Sequence, residues 1–161
     1  MNRYSKIISS PIGDIQIVTD QRSLVSVDFI DSTRDTKVLN DYLVDDYPTI
    51  LLDTEKQLHE YFEGKRKIFN LKLELKGTEF QMKAWEALQT IKFGQTISYQ
   101  KQAELIGNIK AVRAVAGANN RNPIAIVVPC HRVIGKNNTL TGYGGGIWRK
   151  EWLLKHEGVK G

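Results

Sequence analysis

Apolar and polar residues alternate through residues 4–29 and then change period. Ser9-Ser10-Pro11-Ile12-Gly13 is a turn cluster between a strand near residues 4–8 and one near residues 15–19. Asp20-Gln21-Arg22-Ser23 separates the second from residues 24–29, where alternation puts Val25, Val27 and Phe29 on one face. The pattern is that of a small antiparallel meander. Residues 31–47 are acidic and weakly patterned, with Val38, Leu39, Tyr42 and Leu43 lining a short helix. After Pro48, the pattern predicts a helix capped by Asp53 or Thr54, carrying Leu58, Tyr61 and Phe62, and stopped at Gly64. Leu71, Leu73 and Leu75 alternate with charged residues in an extended segment that ends at Lys76-Gly77.

Beyond Gly77 the period lengthens. Thr78-Glu79-Phe80-Gln81 is a capping-box pattern, and Phe80, Ala84, Trp85, Leu88 and Ile91 follow at helical spacing. Ser98 caps a second helix whose apolar surface is Ala103, Leu105 and Ile106, ended by Gly107-Asn108. A third helix, from about residue 110 to 118, is built on Ala111, Ala114, Ala116, Gly117 and Ala118, with Arg113 as its long cation. Two short helices joined by a glycine-containing turn have the outline of a helix-turn-helix. Ile124-Ala125-Ile126-Val127-Val128 is wholly apolar and reads as a buried strand stopped by Pro129, which lacks a backbone donor. A glycine-rich stretch, residues 135–146, allows positive φ and close approach to a ligand. A last helix near residues 148–156 turns Trp152, Leu153 and Leu154 to the core. The fold class expected is α+β: a domain at residues 1–76 with an antiparallel sheet and helix, then a mostly helical domain at 77–161.

Composition sharpens this. An apolar fraction of 41% over 161 residues supports a packed core. A single cysteine rules out an internal disulfide and any multi-cysteine zinc site, and suits a reduced, cytoplasmic setting. The first residues lead into no long apolar run, so neither a signal peptide nor a membrane span is expected. Charge is split: residues 1–76 hold 11 Lys/Arg against 13 Asp/Glu, while residues 77–161 hold 12 against 5 and no aspartate. A basic second half points to a polyanionic partner or, more plainly, to a basic soluble surface.

The chemistry concentrates at Pro129-Cys130-His131-Arg132. A lone cysteine is either a small buried hydrophobe or a nucleophile. Beside it, His131 is a candidate base, and Glu157 is a carboxylate able to orient that imidazole. On an extended chain the Cys130 and His131 side chains would diverge, so a bend or a water has to link them. His59 has no companion at metal-ligand spacing and reads as structural or exposed. These residues yield a thiol nucleophile with a basic surface and leave the electrophile open.

Val128-Pro129-Cys130-His131-Arg132-Val133-Ile134-Gly135 resembles the active-site motif of the O6-alkylguanine-DNA alkyltransferases, the methylated-DNA–protein-cysteine methyltransferases. Gly94 to Tyr99, Arg113-Ala114-Val115, Asn122-Pro123 and Glu151 to Gly158 fall in the same family order. The resemblance implies a ribonuclease H-like first domain and a second that binds double-stranded DNA in the minor groove through its helix-turn-helix. It implies a single-turnover transfer of the alkyl group from O6-alkylguanine, flipped out of the duplex, to Cys130. His131 then acts as base through a water, Glu157 orients it, and Asn122 supports the active-site turn. Tyr99 helps rotate the nucleotide and Arg113 fills the vacated stack, with Ala114 and Arg132 also on the DNA. Tyr143, Gly144, Gly145 and Val133 line the pocket for the base, Tyr143 as a donor. No cofactor, metal or membrane is implied, and a monomer is expected.

Two positions depart from the family pattern. Gly144 stands where many relatives carry serine, which removes a hydroxyl near the alkylated oxygen. Asn119 stands on the recognition helix where small apolar residues are common. A non-catalytic, alkyltransferase-like lesion binder is the competing reading; such proteins replace the nucleophile that Cys130 supplies here.

Overall fold

The computed structural model describes residues 2–31 and 46–159, so the helix expected around Val38 to Leu43 lies outside the described residues. The chain divides into two compact units, Met1–Leu75 and Lys76–Gly161.

In the first unit, β1 (Tyr4–Ile8), β2 (Asp14–Thr19) and β3 (Leu24–Ile30) form an antiparallel sheet in the order β1-β2-β3. The Asp20 carboxylate accepts from the backbone N–H groups of Arg22 and Ser23, both at 2.7 Å, and closes the β2–β3 turn. Register jumps there: Val18 faces Ser26 but Thr19 faces Leu24, leaving Val25 as the extra residue. This bulge buries Leu24 completely and leaves Val25 only half-buried, correcting the simple alternation. Helix α1 (Thr49–Phe62) presents Leu51, Thr54, Leu58 and Tyr61 as one buried stripe. Its N-cap is Pro48; Asp53 and Thr54, expected as caps, lie inside it, and Thr54 donates to the Ile50 carbonyl. The extended tail runs parallel to Leu24, whose N–H donates to Lys72 and whose carbonyl accepts from Glu74. His59 is partly exposed, 3.6 Å from Glu55.

In the second unit, α2 (Glu79–Leu88) begins with the complete capping box of Thr78 and Gln81. A Cβ on Gly77 would come within 2.7 Å of the Trp85 ring, so close approach, not backbone conformation, requires glycine. The Trp85 indole N–H donates to Ala118 O at 2.9 Å, tying α2 to α4 (Val112–Asn120). Helix α3 (Tyr99–Leu105) is capped by Ser98, which accepts from Lys101 N. Leu105, expected to pack inward, is half exposed; Gln102 takes the buried position instead. Gln102 and Asn119 exchange side-chain amide hydrogen bonds at 2.9 and 2.8 Å, and Gln102 also donates to Ala84 O. Asn119 therefore joins the two helices rather than facing a groove.

The apolar run before the cysteine is not a strand. Residues 125–127 form tight turns, with Val127 N donating to Ala125 O and Val128 N to Ile124 O, and Ile126 at φ 71°. Ile124, Ile126 and Val128 are buried as expected. An all-apolar run reports burial, not backbone geometry, and Pro123 and Pro129 leave both ends without donors for a ladder. Strand pairing falls instead to β4 (Ile97–Ser98) and β5 (Val133–Ile134), which run parallel. Helix α5 (Ile147–His156) buries Arg149, Lys150, Leu153 and Leu154; Trp152, expected in the core, is half-buried and stacks on His156. No helix among the described residues is long and apolar enough to cross a membrane.

Candidate active site

Cys130, His131 and Arg132 form one 3-10 turn between the bent apolar segment and β5. The turn does not force the side chains of the candidate nucleophile and base to opposite faces as a strand would. All three side chains are buried. The Asn122 amide donates to Cys130 Sγ at 3.3 Å and to Val128 O at 2.7 Å, while its own oxygen accepts from Ile124 N. One asparagine thus holds both the bent segment and the sulfur.

His131 Nε2 lies 2.7 Å from Glu157 Oε2, with Glu157 placed just after the end of α5. Arg132 donates to both carboxylate oxygens, at 2.7 and 3.1 Å, and to Ile91 O at 2.7 Å. Burial alone would push the Glu157 carboxyl up. The hydrogen bonds from His131 and Arg132, with the Arg132 charge, outweigh it and hold Glu157 well below the usual carboxylate range. Burial pushes the His131 imidazole down against the pull of Glu157, so the ring is neutral near pH 7. A neutral ring beside an ionised carboxylate carries its proton on Nε2 and donates it to Glu157. Nδ1 is then the bare nitrogen, buried and without a hydrogen-bond partner among the described residues. Burial raises the Cys130 thiol, with Asn122 and Lys150 acting in the opposite sense. Such a thiol stays protonated until a base takes its proton.

The remaining expected residues are spread around this centre. The Tyr99 hydroxyl, at the start of α3, donates to Thr141 O at 3.3 Å. Arg113 and Ala114 are exposed on α4. Tyr143 is half-buried, Gly144 is exposed, and Gly145 O accepts from Arg149 Nη1 at 2.9 Å. Gly146, at φ 95°, is the N-cap of α5, and a Cβ there would press on the Trp148 indole at 3.2 Å. Val133 is buried in β5. Arg132, expected on the DNA, is buried, with its guanidinium hydrogen-bonded to Glu157 and to Ile91 O. The sequence reading missed Lys150, whose Nζ donates to Val133 O at 2.6 Å and Thr141 O at 2.9 Å. Its spacing from Leu153 and Leu154 was the available signal, masked because lysine ordinarily marks a solvent face.

Comparison with known proteins accounts for nearly the whole chain. Residues 3–75 match the family described as 6-O-methylguanine DNA methyltransferase, ribonuclease-like domain, and residues 79–159 match its DNA binding domain. A methylated-DNA–protein-cysteine methyltransferase of Methanosarcina acetivorans is 46% identical over 155 residues, covering 96% of this chain and 98% of that protein. The crystal structure of Mycobacterium tuberculosis O6-methylguanine methyltransferase superposes with a TM-score of 0.87 at 42% identity, covering 96% of this chain and 92% of that one. Mycobacterium tuberculosis OGT in complex with DNA gives a TM-score of 0.84 at the same identity, covering 98% and 92%. With its sheet-and-helix first unit, its helical second unit and the lone cysteine of its Pro-Cys-His-Arg turn, the chain belongs to the 6-O-methylguanine DNA methyltransferase family.

Proposed function

We propose that this protein repairs alkylated guanine in double-stranded DNA by taking the alkyl group from O6 onto Cys130, once per molecule. The observation that carries the reading is the proton path. An imidazole fixed through Nε2 on an ionised carboxylate presents a bare Nδ1, one residue from a sulfur that accepts an Asn122 N–H. Through a water, Nδ1 takes the thiol proton; sulfur attacks the alkyl carbon in line, and the carbon–O6 bond breaks as the S–C bond forms. The base departs as neutral guanine by accepting a proton, with Tyr143 as donor on its pocket side. The thioether is stable, which ends the protein's activity and needs no cofactor.

The lesion reaches the sulfur by leaving the stack, at a cost of a few kcal/mol that an inserted side chain offsets. Arg113, exposed on the small-residue helix α4, fills the gap in the minor groove, and Ala114 lets the backbone approach. Tyr99 turns the nucleotide, while Val133, Gly144 and Gly145 shape the pocket. The protein works as a monomer. Intact-mass analysis after mixing protein with an excess of duplex containing O6-methylguanine is expected to find one methyl on Cys130, saturating at one per molecule. DNA binding without an adduct would instead support a lesion-binding protein, and continued turnover would rule out the suicide reaction.

A further inference from the structure

The charge boundary in this chain falls earlier than the boundary between its two units. Residues 1–63 hold 6 Lys/Arg against 12 Asp/Glu, whereas residues 64–76 hold 5 against 1. The first unit is therefore acidic up to the end of α1 and basic where the chain leaves that helix. The segment that follows is a braced loop. Gly64, at φ 77°, ends the helix, and Lys65 N donates to Glu60 O at 2.8 Å. Arg66 Nε donates to the Glu60 carboxylate at 3.0 Å, and its Nη1 donates to Ile68 O at 2.7 Å. The buried Gln57 side chain accepts from Asn70 N at 2.8 Å and donates to Asn70 O at 3.1 Å. The Phe69 ring packs against the buried Tyr61 ring, with centroids 5.5 Å apart. Lys72 O then accepts from Leu24 N at the edge of the sheet, at 2.8 Å.

These fixed points leave four side chains at the surface. Lys65, Lys67 and Lys72 are exposed. Between them Ile68 is 78% exposed, more than any other large apolar side chain among the described residues. Lys65 lies 3.1 Å from Glu63, but both ends of that pair are open to water, so giving it up for a polyanion costs little. Arg66, the cation best suited to two-pronged anion recognition, is instead spent on holding the loop in shape.

Duplex DNA carries about one negative charge per 1.7 Å of its length. Beside it the acidic remainder of the first unit is repelled, and the basic loop is where that unit can be approached. Lysines are point charges on flexible stems and suit backbone phosphates at variable spacing. A compact apolar side chain between them matches the face of a deoxyribose. Because the loop is already braced, little conformational freedom is lost on contact.

We propose that residues 65–72 of the first unit form a second, sequence-independent DNA contact outside the helix-turn-helix. Lys65, Lys67 and Lys72 take backbone phosphates, and Ile68 rests on the sugar between them. This rests on the chain acting on DNA and is independent of the chemistry at Cys130.

The test is the salt dependence of binding of the full chain to labelled, undamaged duplex, followed by fluorescence anisotropy. Each phosphate contact adds about 0.9 to the slope of log K against log salt. Neutralising Lys65, Lys67 and Lys72 together to Gln is expected to flatten that slope by about 2–3, and each single change by about 0.9. Lys56→Gln removes an exposed charge on α1 outside the loop and is expected to leave the slope where it was. Ile68→Ser is expected to weaken binding at every salt concentration with the slope unchanged. A slope unmoved by the triple change, or moved as much by Lys56→Gln as by a loop lysine, overturns the proposal. Loss of binding to phosphatidylserine vesicles with the DNA slope intact would also overturn it, assigning the loop to a membrane surface. An unsubstituted protein with no salt-dependent affinity for duplex would refute the DNA reading itself and this contact with it.

Discussion

Burial moves the Cys130 thiol away from the ionised form that attacks carbon, so the residue depends on its neighbours for reactivity. His131 is the neighbour that titrates, and its imidazole lies below its ordinary value of 6.5. Cys130 alkylation by a small electrophile is therefore expected to hold its rate at pH 6.5 and decline only at more acid pH, measured as a pH–rate profile. A decline centred above 6.5 would contradict a neutral buried ring. Glu157→Gln removes the charge that keeps the Nε2 proton in place. It is expected to slow Cys130 alkylation by about 100-fold or more, read from single-turnover rates. The same change leaves Arg132 buried without its anion, at a cost of about 3 kcal/mol in a urea melt. The sign of the pH effect follows from Glu157 itself. Its carboxyl is depressed on folding, so its contribution is present above the unfolded value of 4.5 and is lost as pH falls through the folded one. His131 adds to that loss, because an unfolded imidazole binds a proton below 6.5 that the folded one resists.

At the scale of elements, α3 and α4 are held by a polar contact where an apolar one was expected. The Gln102–Asn119 amide pair is buried and reciprocal, and Gln102 reaches α2 through Ala84 O. Such a pair fixes the angle between the helices more narrowly than apolar packing, since both bonds must form at once. Asn119→Leu strands the Gln102 amide and is expected to cost about 1–3 kcal/mol by chemical denaturation. Adding Gln102→Leu is expected to recover part of that loss, and a double variant as unstable as the two single losses combined would argue against coupling. Leu105 was assigned inward because helical spacing marks a face without saying which neighbour covers it. Gln102 was passed over because glutamine ordinarily marks the surface.

For the whole molecule, charge decides the partner. The second unit carries Lys92, Lys101, Lys110, Arg113, Arg121 and Lys136 as exposed cations. DNA affinity is therefore expected to fall steeply with salt, and Arg113→Ala to weaken it modestly. The sharper consequence concerns base flipping. Arg113→Ala is expected to slow repair in duplex by roughly 10- to 100-fold, while reaction with free O6-alkylguanine is nearly unchanged. Equal losses on both substrates would remove Arg113 from the flipping step.

The amino-acid pattern alone determined the two-part organisation, the meander, the capping box at Thr78, the helix-turn-helix and the motif around Cys130. Each of these is local, set by spacing and by turn chemistry within a few residues. What only tertiary structure decided are relations between distant positions: Glu157 on His131 and Arg132, Asn122 on the sulfur, and Lys150 between Val133 and Thr141. The bent path of residues 124–128 belongs with them, because burial makes an apolar run look alike whether it is strand or turn. Cys130 was legible as a candidate nucleophile from its neighbours in the chain; the carboxylate shared by His131 and Arg132 was not, since a charged side chain reveals a buried role only through the groups that surround it in space.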